Sequence, residues 1–281
     1  MEKQGSMKKG LLFLLFYLLT FSSLNAKVIK VLAIGNSFSQ DAVEQYLWEL
    51  AAAQGDSLVI GNAYIGGCSI DMHYEFLKTG KPTYVYRKMM NGGRYSRNKW
   101  TLRKIIQDEQ WDIISLQQVS QLAGIPDSYL NLAPLKRLVQ SYTTNMHVKF
   151  VWHMTWAYAQ DFDNERFSAY NYNQRQMYDA IVNTMLNVLP GVGIKQIIPS
   201  GTAIQLARYR MGDIMNRDGF HLSYTLGRYT AACTWCEFLT GRNVDGNSYH
   251  PDTISPEEAT YCQEAAHEAL FMQQYGRYAV F

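Results

Sequence analysis

The sequence predicts an α/β fold in three layers, with helices on both faces of a flavodoxin-like five-stranded parallel sheet. Three observations carry this. Five short apolar runs rich in β-branched residues alternate with longer stretches of helical spacing. The connections between the runs are long enough for the crossovers that parallel strands require. After residue 26, no repeat, low-complexity linker or break in composition divides the chain.

The first residues are read as outside the fold. Lys8 and Lys9 precede the apolar run Leu11 to Phe21, and a small-residue stretch follows that ends at Ala26. This is the pattern of a cleavable secretory signal, too short and wrongly flanked for a stable membrane anchor. The reading is residues 1–26 as signal peptide and 27–281 as one domain, exported to the periplasm or beyond the cell. Glu2, Lys3, Lys8 and Lys9 would leave with the signal, so 23 basic and 23 acidic residues remain. That balance gives no reason to expect nucleic acid or a membrane surface as partner.

The expected strands are Val28–Ile34, Ser57–Ala63, Trp111–Leu116, Lys149–His153 and Gln196–Pro199. Helices are expected near Asp41–Gln54, Trp100–Asp108, Leu130–Thr143, Asn171–Leu189, Tyr224–Thr240 and Pro256–Tyr275. The stretch from Thr79 to Lys99, rich in Gly and Tyr, is expected to be irregular. Four cysteines (Cys68, Cys233, Cys236 and Cys262) are too few for a disulfide scaffold in a chain of this length. Cys233 and Cys236 lie one turn apart in an apolar helical stretch and read as buried thiols. No second ligand pair at suitable spacing accompanies them, so a zinc site is not expected.

The first strand stops at Gly35-Asn36-Ser37 and a helical pattern follows. The turn therefore offers either a capping serine or a nucleophile at the carboxyl edge of the sheet, where open α/β sheets place their chemistry. Near the C-terminus, Asp218 precedes His221 by three residues in "NRDGFHLS". This spacing lets one loop present a carboxylate and an imidazole together.

Taken together, "IGNSFS", "NAYIGGCSI" and "DGFHLS" resemble, in order and position, three blocks of the SGNH (GDSL-type) hydrolase superfamily. The resemblance implies Ser37 as nucleophile, His221 as base and Asp218 as the group orienting it. It also implies the backbone N–H groups of Ser37 and Gly67 as oxyanion donors, and no metal or organic cofactor. The α/β-hydrolase elbow, Gly-x-Ser-x-Gly in mid-chain, does not fit, because Ser39 occupies its last position and the motif opens the domain. One block departs. Where the superfamily shows Gly-x-Asn-Asp after the third strand, this chain has "SLQQVS", and carbohydrate-esterase relatives with a Gln-containing block suggest the Gln117 amide as third donor, with Gln118 second.

His153 and Trp156, at the end of the fourth expected strand, are expected either to meet substrate or to pack behind the site. From Lys78 to Lys104 stand nine basic residues with no Asp or Glu among them, interleaved with Tyr84, Tyr86, Tyr95 and Trp100. Such a segment either binds the carboxylates of an acidic polysaccharide or is a solvated face answering the acidic remainder. The resemblance, together with export, implies a serine ester hydrolase removing acetyl or another small acyl group from a carbohydrate. A lipid esterase of the same mechanism, or a glycan-binding protein that keeps the fold, are the alternatives.

Overall fold

The computed structural model describes residues 28–278. The expected signal segment, 1–26, lies outside the described residues. Seven strands form one sheet: β1 (Val28–Gly35), β2 (Ser57–Tyr64), β3 (Tyr84–Met90), β4 (Gly93–Trp100), β5 (Ile113–Leu116), β6 (Lys149–His153) and β7 (Gln196–Ile198). Their order is β4-β3-β2-β1-β5-β6-β7. The strands β2, β1, β5, β6 and β7 are parallel, whereas β3 and β4 run antiparallel at one edge. The expectation of a purely parallel five-stranded sheet is thus corrected by a hairpin that replaces the irregular stretch.

The hairpin has a local cause. Asn91 and Gly92 join β3 to β4 with φ of 51° and 72°, and Met90 pairs with Gly93 across them. Two consecutive positive φ values make the type I′ turn whose twist suits a hairpin. The outer strand is exposed along most of its length, and its Arg94, Arg97 and Lys99 discourage pairing with another sheet edge.

Nine helices accompany the sheet among the described residues: α1 (Ser37–Val43), α2 (Leu47–Ala53), α3 (Ile70–Thr79), α4 (Leu102–Ile106), α5 (Leu132–Tyr142), α6 (Gln174–Val192), α7 (Ser200–Met211), α8 (Leu226–Thr240) and α9 (Pro256–Gln274). The single helix expected over Asp41–Gln54 is two, broken at Tyr46, whose φ is 71°. Two helices were not expected. One of them, α3, carries local signals: Ser69 caps Met72 N–H, and Ile70, His73 and Leu77 form its buried stripe. The helix α9 opens with a reciprocal capping box between Ser255 and Glu258.

β1 is central to the site because β2 lies on one side of it and β5 on the other. The chain therefore leaves β1 toward one side of the sheet and returns to cross on the other, and right-handed crossovers put their helices on opposite faces. On one face α1 and α2 pack with α8, which in turn packs on α7 and α9; on the other α3, α4 and α5 pack together. In-register pairing ends β1, β2 and β5 at Gly35, Tyr64 and Leu116. The residues that follow these three ends meet where the strand order reverses, the position at which open α/β sheets bind ligands. No described helix is long and apolar enough to cross a membrane.

Candidate active site

A cleft of about 370 Å³ opens at this reversal point. Ser37 lines it from the first turn of α1. Asn36 caps that helix, its Oδ1 accepting from Phe38 N–H at 3.0 Å. Phe38 is buried flat against Trp156, with ring centroids 4.2 Å apart and planes within 5°. Both neighbours of Ser37 are thus anchored inside, while Ser37 itself faces the cleft. The N–H groups of a helix's first turn lack intrahelical acceptors, which leaves the Ser37 N–H available to an incoming oxygen.

The last residue of β2, Tyr64, and the loop after it, through Gly66 and Gly67, supply another wall. The loop is tied to the turn carrying Ser37 twice. Asn36 Nδ2 donates to the Cys68 carbonyl at 3.0 Å, and Ile65 N–H donates to the Gly35 carbonyl at 3.4 Å.

His221 lines the same cleft from the opposite side. Asp218 holds it in two ways: Oδ1 accepts from His221 N–H at 2.8 Å, and Oδ2 accepts from the ring Nδ1 at 2.7 Å. Partial burial alone would raise the Asp218 carboxyl. The His221 ring and backbone hydrogen bonds and the Phe220 N–H outweigh that, so it lies below the ordinary carboxylate value. An ionised Asp218 only accepts, so Nδ1 carries the proton and Nε2 is left as the basic nitrogen. Between them, Gly219 has φ +85°, and a Cβ there would stand 2.1 Å from Phe162 Cδ2. The Asp-Gly-Phe-His turn therefore needs a glycine at its second position.

Sequence reasoning gave no role to Asp41, which joins the two halves of the site. Its fully buried carboxylate accepts from Leu222 N–H at 2.9 Å and pairs with Arg228 at 2.6 Å and Arg217 at 3.2 Å. A residue of α1 thus fixes the loop that carries His221.

The third block is arranged otherwise than expected. Gln117 does not line the cleft. It is buried, its Nε2 donating to Asn36 Oδ1 at 2.9 Å and its Oε1 facing His153 Nδ1 at 2.9 Å. Gln118 is also buried; its Oε1 accepts from Ile70 and Val119 N–H and its Nε2 donates to Ser128. The glutamine that lines the cleft is Gln121, beside Ser120 and Val119.

His153 and Trp156 are both fully buried and line no part of the cleft. A side chain with no open surface cannot meet substrate, which corrects that half of the expectation. His153 bridges Gln117 to Ser200 Oγ at 3.1 Å, and Trp156 Nε1 donates to the Phe220 carbonyl at 2.8 Å. Burial pushes the His153 imidazole down to about 3. All four cysteines are buried and unpaired, and burial pushes the thiols of Cys68, Cys236 and Cys262 up to about 12.

Solved structures provide comparisons. A crystal structure of a DUF4886 family protein from Bacteroides uniformis ATCC 8492 is 49% identical, with a TM-score of 0.85, covering 87% of this chain and 95% of that one. Two distant likenesses are TesA (13% identity, TM-score 0.49, covering 75% of this chain and 98% of that one) and a variant of Axe2, an acetyl-xylooligosaccharide esterase from Geobacillus Stearmophilus (11%, 0.49, 75% and 94%). At those values neither bears on activity. No curated protein matches the chain. The profile described as "Domain of unknown function (DUF4886)" matches residues 30–269, and with the Bacteroides uniformis structure this places the chain in the DUF4886 family.

Proposed function

We propose that this chain is an exported serine esterase that removes acetyl or another small acyl group from a carbohydrate. The observation that carries the reading is one cleft lined by both Ser37 and His221, with His221 held through Nδ1 by Asp218 at 2.7 Å. In this reading His221 Nε2 takes the proton as Ser37 Oγ attacks the ester carbonyl. The N–H groups of Ser37 and Gly67 receive the oxyanion, and the side-chain donor beside them is Gln121 in place of Gln117. His221 then protonates the departing sugar oxygen, leaving acyl-Ser37. Water adds to the acyl carbon while His221 takes its proton, and the carboxylic acid leaves as Ser37 regains its hydrogen. The choice of a small acyl group and a sugar follows from the resemblance to carbohydrate-esterase sequences and from the expected export.

A fluorophosphonate followed by peptide mass analysis is expected to label Ser37. Ser37→Ala should abolish both labelling and hydrolysis of a small aryl acetate while leaving the fold intact. An unlabelled Ser37 in the folded wild type would instead support a binding protein that keeps the fold without turnover.

A further inference from the structure

The cleft carries one permanent charge for which the esterase reading has no use. Arg166 stands in the 3₁₀ turn Glu165–Tyr170 and lines the cleft with Ser37 and His221. Its backbone N–H is bound to Asn164 at 3.1 Å, but among the described residues its guanidinium has neither an ion pair nor a hydrogen bond. It lies over the Phe220 ring instead, 5.8 Å from the centroid. The Phe220 ring packs in turn on His221, with centroids 3.8 Å apart. One aromatic ring therefore sets the cation against the proposed base, and no described carboxylate lines the cleft to neutralise it.

The basic hairpin region is different. Arg87 is bound to Glu44 at 3.0 Å, Lys88 to Asp108 at 2.8 Å and Glu109 at 2.5 Å, and Arg94 lies 3.7 Å from Glu49. Those charges answer the protein's own acids. The uncompensated cation at the chemistry is Arg166.

A guanidinium with its planar fork of N–H donors unengaged matches a carboxylate, which it can hold through two parallel hydrogen bonds. We propose that Arg166 selects a carboxylate-bearing sugar, so that the substrate is an O-acylated uronate and not an acylated neutral sugar. This rests on the esterase reading: the small acyl group is uncharged, so the carboxylate belongs to the sugar half of the ester. Because the contact forms as soon as substrate binds and persists through the reaction, it acts mainly on KM.

The test compares kcat/KM for partially acetylated oligogalacturonate and partially acetylated xylo-oligosaccharide, at low and at high salt, in wild type, Arg166→Gln and Arg166→Lys. The wild type is expected to favour the acidic substrate by roughly 10- to 100-fold, the range of a charged hydrogen-bonded pair. The ratio should collapse in Arg166→Gln, recover in part in Arg166→Lys, and shrink as salt screens the contact. A ratio near one in the wild type, or one unchanged by Arg166→Gln, overturns the proposal. A parallel measurement does not need turnover: calorimetric binding of unacetylated oligogalacturonate and xylo-oligosaccharide to Ser37→Ala, with and without Arg166→Gln. Binding that does not distinguish the two sugars also overturns the proposal, whereas loss of the esterase reading shows separately as an unlabelled Ser37.

Discussion

A chain of hydrogen bonds runs beneath Ser37, and its direction follows from one end. The Cys68 carbonyl only accepts, so Asn36 turns Nδ2 toward it and keeps Oδ1 for Phe38 N–H and Gln117 Nε2. Gln117 must then present Oε1 to His153, whose Nδ1 carries the proton; a neutral His153 accepts at Nε2 from the Ser200 hydroxyl. Gln117 thus supports the turn that holds Ser37, while Gln121 lines the cleft and is the proposed side-chain oxyanion donor. The two roles predict separable outcomes. Gln117→Ala takes one of two donors from Asn36 Oδ1 and leaves the buried His153 Nδ1–H without a partner, at about 1–3 kcal/mol for that stranded group, and should lower the Tm visibly. Gln121→Ala should leave the Tm near wild type but lower kcat by about 10²–10³, the usual effect of one lost oxyanion donor. Wild-type kcat in Gln121→Ala would leave the backbone N–H groups as the whole oxyanion hole.

Between elements, the decisive contact joins α1 to the loop ahead of α8. Asp41 pairs with both Arg217 and Arg228, which also stack over the Tyr224 ring at 4.6 Å, and Arg217 Nε lies 4.0 Å from Asp218 as well. Asp41→Ala would leave Arg228 without an acid, Arg217 with only Asp218 at 4.0 Å, and the Leu222 N–H without its acceptor. Breaking a buried pair from one side costs about 3–5 kcal/mol. The expected result is a lower midpoint of denaturation together with reduced aryl acetate turnover, since the same loop presents His221; stability and turnover both equal to wild type would deny Asp41 this role. None of this was legible locally. The parallel strands could be read because burial on both faces leaves continuous apolar runs such as Val31 to Ile34. The triad candidates could be read because they lie in short contiguous motifs. Gln117, Gln118, His153 and Asp41 could not, because their partners come from distant parts of the chain and polar residues beside a strand end look like loop. The hairpin is an intermediate case. Its outer strand has no buried stripe, yet Asn91-Gly92 was a readable turn signal.

At the scale of the whole molecule, two fully buried imidazoles should make stability depend on acid. Burial pushes both His73 and His153 down to about 3, and each is held by a neutral partner, Tyr84 for His73 at 2.8 Å and Gln117 for His153. In the unfolded chain an imidazole takes up its proton near pH 6.5. Between that value and about 3 the unfolded state therefore binds protons that the folded state refuses, so stability falls as pH falls through this window. Each histidine contributes a slope of about 1.4 kcal/mol per pH unit once the pH is well below 6.5. The lowered carboxylates of Glu109, Asp218 and Glu258 add to the loss in the same direction only at lower pH, where unfolded carboxylates titrate. Urea denaturation at intervals from pH 7 to 5 isolates the histidines. The unfolding free energy should decline with a slope approaching that of two protons, and His73→Gln or His153→Gln should each remove about one proton from it, whatever its effect on stability at pH 7. A profile flat across that range would mean that the folded protein admits these protons, and with them a charged His153 directly behind the turn that carries Ser37.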